Sequence, residues 1–129
     1  MAVTHSNSAL SAATDAVTAL IGASGKLKFR LAGTIGSPGA AVATLNLSAT
    51  AFPASTNGLA TANAITSDTN ATGNASPVAN ASLETSGGTL IIHCAVAASA
   101  SDINMTNGLT VASGDTVSCS SLTYKAISA

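Results

Sequence analysis

KLKFRL, residues 26–31, alternates three cations, Lys26, Lys28 and Arg30, with three apolar side chains, Leu27, Phe29 and Leu31. A period of two sends neighbours to opposite faces of an extended strand, so one face is made for a core and the other is not. On either side of this stretch the pattern changes. Upstream, SALSAATDAVTALI (residues 8–21) sets Leu10, Ala13, Val17, Leu20 and Ile21 on one stripe at helical spacing, with serines as cap candidates before it and Gly22 behind it. Downstream, Ser37-Pro38-Gly39 offers the Pro-Gly pair of a type II turn, and AVATLNLS follows with Val42, Leu45 and Leu47 imperfectly in phase, as a bulge would leave them.

Further strands are expected at residues 60–65, 78–85, 89–98, 103–105, 109–112 and 116–127, separated by Gly, Asn and Asp. The segment TLIIHCAVAA is the strongest of them: Leu90, Ile92, Cys94 and Val96 share one face, Ile91 and Ala95 the other, which predicts cover on both sides. TNGL occurs at 56–59 and again at 106–109. Because the flanks do not align, the repeat reads as reuse of an Asn-Gly turn and not as a duplicated half-domain.

Composition narrows the function. Only 7% of the 129 residues are charged, where about 25% is usual, and the net charge is −1. No field of either sign exists to steer a polyanion or a basic partner, so nucleic acid is not expected as a ligand. Aromatic residues make up 2% of the chain and the apolar 47% is dominated by alanine, which predicts a thin core and a surface of short side chains suited to close packing against protein. No stretch reaches the roughly 18 apolar residues of a membrane helix, and MAVTHSNSAL lacks the basic and apolar regions of a secretion signal. Use in a cytoplasm is therefore expected, with Cys94 and Cys119 as two buried thiols and a disulfide as the lesser alternative.

The usual signatures of catalysis, GxSxG, GxGxxG, a P-loop, HExxH and CxxC, do not occur. His5, His93, Asp15, Asp68, Glu84, Asp102 and Asp115 are scattered, and no enzymatic activity, cofactor or metal is expected unless a pocket joins a histidine to two acids. DTNATGNAS (residues 68–76) imitates the start of a calcium loop with Asp68, Asn70, Thr72 and Gly73, but Ala79 stands where the bidentate Glu belongs. The charged face of Lys26, Lys28 and Arg30 has three readings: a solvated edge that discourages aggregation, a docking stripe for an acidic protein surface, or a phosphate contact without aromatic support.

Several stretches together resemble small virion proteins of tailed bacteriophages: the Ser/Ala-rich helix, KLKFRLAG, AFPASTNGLATANAITSDTNATGNA and DINMTNGLTVASGDTVSCSSLTY. The resemblance covers most of the chain. It implies an all-β, jelly-roll-like β-sandwich of about eight strands with one N-terminal amphipathic helix, an arm and helix over residues 1–25 and the sandwich over 26–129 of a single domain. It also implies a non-enzymatic cement or decoration protein on the capsid surface of the virion, made in the host bacterial cytoplasm, whose partners are the major capsid protein and copies of itself as dimer or trimer. Lys26, Lys28 and Arg30 are then the docking candidates, and Leu10, Val17, Leu20 and Ile21 a second contact. A neck, tail or head-fibre adaptor is the alternative, glycan-binding being disfavoured because Tyr124 is the one amphipathic aromatic.

Overall fold

A computed structural model describes residues 3–127. Helix α1 (Asn7–Ile21) starts where the Ser6 hydroxyl accepts a hydrogen bond from the Ala9 amide at 3.2 Å, and ends at Gly22, whose φ of 70° lies in the left-handed region. Its buried residues are Leu10, Thr14, Thr18 and Ile21. The predicted stripe is thus rotated: Leu10 and Ile21 point inward as expected, Val17 is half-buried, and Leu20 is 62% exposed. The reason is polar. The Thr14 hydroxyl donates to the Gly58 carbonyl at 2.5 Å and accepts from the Ala126 amide at 3.1 Å, Ser11 accepts from the Gly58 amide, and Asp15 accepts from the Ser55 amide at 2.8 Å. Three polar side chains outside the predicted apolar stripe therefore fasten the helix to the 55–58 turn.

Seven strands follow among the described residues: β1 (Lys26–Arg30), β2 (Ala41–Asn46), β3 (Leu59–Thr61), β4 (Asn80–Glu84), β5 (Leu90–Ala97), β6 (Ile103–Asn104) and β7 (Thr123–Lys125). They form a five-stranded mixed sheet in the order β2-β1-β4-β5-β6 and a two-stranded ribbon of β3 with β7. The chain is β-rich with one N-terminal helix, as expected. The β1–β2 register shifts between Phe29 and Arg30, which is the bulge suspected from the phase of AVATLNLS.

Leu27, Phe29, Ala43, Leu45, Ala81 and Leu83 are all buried and share the inner face across β1, β2 and β4, where Ile21, Val78, Val111 and Leu122 join them. Every residue of β4 is buried, whereas β5, expected to be covered on both sides, is mostly half-buried. Position decides this: β4 is paired along its length by β1 and β5, while β5 has only the two-residue β6 beyond it. The strands expected at 109–112 and over most of 116–127 are instead extended segments held by single contacts. Residues 71–78 donate to the carbonyls of Asp115, Val111 and Leu109, and Asp68 and Val117 exchange a pair of bonds.

The turn expected at Ser37-Pro38-Gly39 sits earlier, where Thr34 and Ser37 exchange backbone hydrogen bonds of 3.0 and 3.2 Å around Ile35-Gly36. Gly39 is not in the left-handed region that a type II turn demands there; it lies against the Ala32 backbone, where a Cβ would collide.

Candidate functional site

The outer face of the sheet carries the charged residues singled out in the sequence. Antiparallel pairing sets Lys26, Lys28 and Arg30 opposite Glu84, Ser82 and Asn80 of β4, and Ser82 opposite His93 of β5, so all of these side chains share one face. Arg30 lies along the strand over Ser82. Its Nε donates to the Ser82 hydroxyl at 3.0 Å, one guanidinium nitrogen donates to Glu84 Oε2, and the other donates to the Gly39 carbonyl at 2.5 Å. The Ser82 hydroxyl in turn donates a hydrogen bond to Glu84 Oε2 at 2.9 Å. Lys28 Nζ stands 3.2 Å from Glu84 Oε1, close enough for ionic attraction although the angles fall short of a hydrogen bond.

Burial by itself would push the Glu84 carboxyl up. The contacts from Arg30, Ser82 and Lys28, together with the charge of Lys28, outweigh it and hold the group below the usual carboxylate range. The cluster is therefore an ionised carboxylate shared by two cations, with Arg30 8% and Glu84 1% exposed. Of the expected docking residues, Arg30 is buried and paired with Glu84, and Lys28 is half-buried beside the same carboxylate. Lys26 is half-buried and has no ion pair within 4 Å among the described residues. Nothing in KLKFR announces Glu84. The signal was the matching alternation of NASLE, whose polar Asn80, Ser82 and Glu84 complement the cations once the two strands are paired.

A serine, a histidine and a carboxylate on one face invite comparison with a nucleophilic triad, but the bonding differs. Ser82 is fully buried, donates a hydrogen bond to Glu84 and accepts one from Arg30, while His93 Nδ1 has no hydrogen-bond partner. His5 is exposed ahead of the helix, and neither histidine lines the cleft between residues 102–111 and 115–123 or the one between α1 and residues 49–54.

The remaining acids are committed to the backbone. Asp15 accepts from Ser55, Asp102 from Ala95 and Asp115 from Ala112, while Asp68 accepts from Thr44 with one oxygen and from Asn70 with the other. The Asp68 bond caps the outer edge of β2, so the calcium-like segment has a structural role. No group of three or more His, Cys, Asp or Glu side chains able to hold a metal occurs among the described residues. Cys94 and Cys119 carry free, half-buried thiols, and burial with help from Asp102 pushes Cys94 up to about 11.

The larger cleft, about 530 Å³, lies between residues 102–111 and 115–123 with Phe29 in its wall, and its polar lining is mainly hydroxyls and amides. Tyr124 is half-buried in β7 opposite Ala60 and outside this lining. Comparison of the chain with protein-family models, curated proteins and solved structures finds no match.

Proposed function

We propose that this chain is a non-enzymatic structural protein of a tailed-phage virion, a cement or decoration component that binds the major capsid protein lattice and stabilises the mature head. One observation carries the reading beside the sequence resemblance: the buried anion Glu84 is held by Arg30 and Lys28, and the rest of the chain adds only four aspartates and two lysines, so the surface is sparsely charged and covered by short Ser, Thr, Asn and Ala side chains. Such a surface gives little attraction to polyanions and loses little entropy when packed against protein. A clamp that binds only the mature lattice stabilises it by mass action, and many identical weak contacts add through multivalency.

The finer architecture belongs to the same reading. In the order β2-β1-β4, strand β4 returns beside β1 after a long connection, as in a Greek key, and we take the sheet and the ribbon as the two layers of a jelly-roll-like sandwich. With Arg30 buried against Glu84 and Lys28 held beside the same carboxylate, docking rests on shape and hydrogen bonding more than on charge, and depends only weakly on salt.

The test is the copy number of this chain relative to the major shell protein, by quantitative mass spectrometry of purified particles. A ratio near one, or a simple fraction of it, supports a place on the lattice. A handful of copies moves the chain to the neck or tail, and absence from particles overturns the virion assignment.

A further inference from the structure

TNGL stands twice in the chain, at 56–59 and at 106–109. The intrinsic chemistry of the two Asn-Gly pairs is therefore the same, and a difference in their reactivity belongs to the fold. The reaction open to such a pair is cyclisation. The backbone nitrogen of the glycine attacks the side-chain carbonyl carbon of the asparagine. An N–C bond forms, the side-chain amide leaves as ammonia with the proton of the glycine N–H, and a five-membered succinimide remains. Water then opens the ring at either carbonyl, to aspartate or to isoaspartate. A following glycine favours the attack because it has no Cβ to obstruct the approach. The peptide must also swing out of its turn, so the rate follows the ease of local opening.

The first copy is locked. Thr56 and Leu59 exchange backbone hydrogen bonds of 2.9 and 3.0 Å, the Gly58 amide donates to the Ser11 hydroxyl at 3.2 Å, and the Gly58 carbonyl accepts from Thr14. Gly58 is buried against Leu10. The attacking nitrogen is thus occupied, and its peptide cannot turn without detaching helix α1. The second copy is open. Thr106, Asn107 and Gly108 are all exposed, and a Cβ at Gly108 would meet empty space. Among the described residues, the backbone of these three makes one hydrogen bond, a long one of 3.4 Å from the Gly108 amide to the Met105 carbonyl. The ends of the turn are held, Met105 by the Ala97 carbonyl and Leu109 by the Val78 amide, so residues 106–108 can open while the fold around them stays.

We infer that Asn107 is a site of spontaneous deamidation in the folded protein and that Asn57 is protected from it. Water is the one co-reactant. The product sets a new carboxylate in the wall of the 530 Å³ cleft, which Asn107 lines together with Asp102 and Asp115. In a chain with a net charge of −1 and few ionic groups, an added anion on this wall changes the local field substantially, and the isoaspartate form also lengthens the backbone of the turn. The inference does not rest on the capsid assignment.

The test is peptide mapping by mass spectrometry of the full chain held in mildly alkaline water enriched in heavy oxygen, which labels each site as its ring opens. In urea, where only the shared tetrapeptide matters, the two sites should convert at similar rates. In the folded chain Asn107 should convert at least about tenfold faster than Asn57, because freeing Gly58 gives up several hydrogen bonds at once. Ser11→Ala removes the acceptor of the Gly58 amide and keeps a good helix former. It should speed conversion at Asn57 and leave Asn107 unchanged. Equal rates at the two sites of the folded chain, faster conversion at Asn57, or label at Asn107 only after unfolding overturns the proposal. An S11A chain with Asn57 as slow as in the wild type overturns the assignment of its protection to the helix contact.

Discussion

Arg30 and Glu84, 54 residues apart in the chain, form an ion pair on the outer face of the sheet with both side chains at least nine-tenths buried. Their strands are neighbours, yet Arg30 is directly opposite Asn80; its side chain leans along β4 and meets the Glu84 carboxylate over Ser82. The pair therefore reads the register. A slip of one residue would turn Glu84 toward Leu27 and Phe29 and leave two cations without a partner.

Glu84→Gln removes the one anion of the cluster while keeping its shape. Arg30 is then left buried and unneutralised, a situation that costs about 3–5 kcal/mol in other proteins. We expect a loss toward the lower end, because Lys28 can turn to water, read as a lowered urea midpoint. Arg30→Met with Glu84→Leu should cost far less than the single change, and equal losses would show that the pair is not coupled.

The same carboxylate sets an acid dependence. Its folded pKa lies below the ordinary 4.5, so its contribution is fully present above 4.5 and is lost as pH falls through the lowered folded value. Urea midpoints should be level from neutrality to about pH 5 and decline below it, with a shallower decline in Glu84→Gln. Identical slopes in the two proteins would assign the acid sensitivity to other groups.

Thr14→Val tests the rotation of the helix. The substitution keeps the volume but strands the Gly58 carbonyl and the Ala126 amide, at about 1–1.5 kcal/mol for each lost hydrogen bond. A Val at position 14 that left stability unchanged or raised it would mean that apolar burial governs the inward face.

The Cys94 thiol, pushed up to about 11 from 9.0 by burial and then by Asp102, holds less thiolate at any working pH. Two pKa units reduce the thiolate about a hundredfold, and the greater nucleophilicity of a more basic thiolate returns about tenfold. Alkylation of the native protein should therefore be roughly tenfold slower at Cys94 than in urea, followed by mass spectrometry. Asp102→Asn should narrow the gap.

What the sequence reveals depends on how strongly each residue type speaks. The alternation in KLKFR located β1 because Lys, Arg, Leu and Phe differ sharply in their preference for water. The NASLE strand gives only a faint signal, because Asn and Ala have low strand propensity, yet it is the most buried strand, since burial follows from having two long neighbours. TLIIHCAVAA misled in the opposite sense: apolar residues on both faces suggested a covered strand, but its far side meets only the two residues of β6. On the helix, Thr14 and Thr18 read as indifferent, and only their hydrogen-bond partners decide which side turns inward. The charged stripe was legible as a stripe, but its neutralisation was not, because Glu84 reaches it through a pairing of distant segments.

The two copies of TNGL give the last prediction. At 56–59 both central residues are left-handed, Asn57 at φ 52° and Gly58 at φ 85°, and Thr56 and Leu59 exchange backbone bonds of 2.9 and 3.0 Å, which makes a type I′ hairpin turn. At 106–109 Gly108 has a φ of 109° but Asn107 is not left-handed, so the same four residues make a different turn. Space differs as well. A Cβ at Gly58 would stand 2.8 Å from Leu10 Cβ, at the junction that Ser11 and Thr14 fasten, whereas a Cβ at Gly108 would meet open space. Gly108→Ala should therefore cost only the backbone strain, about 1–2 kcal/mol, while Gly58→Ala adds a collision that pushes the helix off the ribbon. Thermal unfolding of both variants decides the matter. A larger loss for Gly58→Ala, accompanied by faster amide exchange in α1, is the expected result, and equal losses would mean that the helix does not depend on this turn.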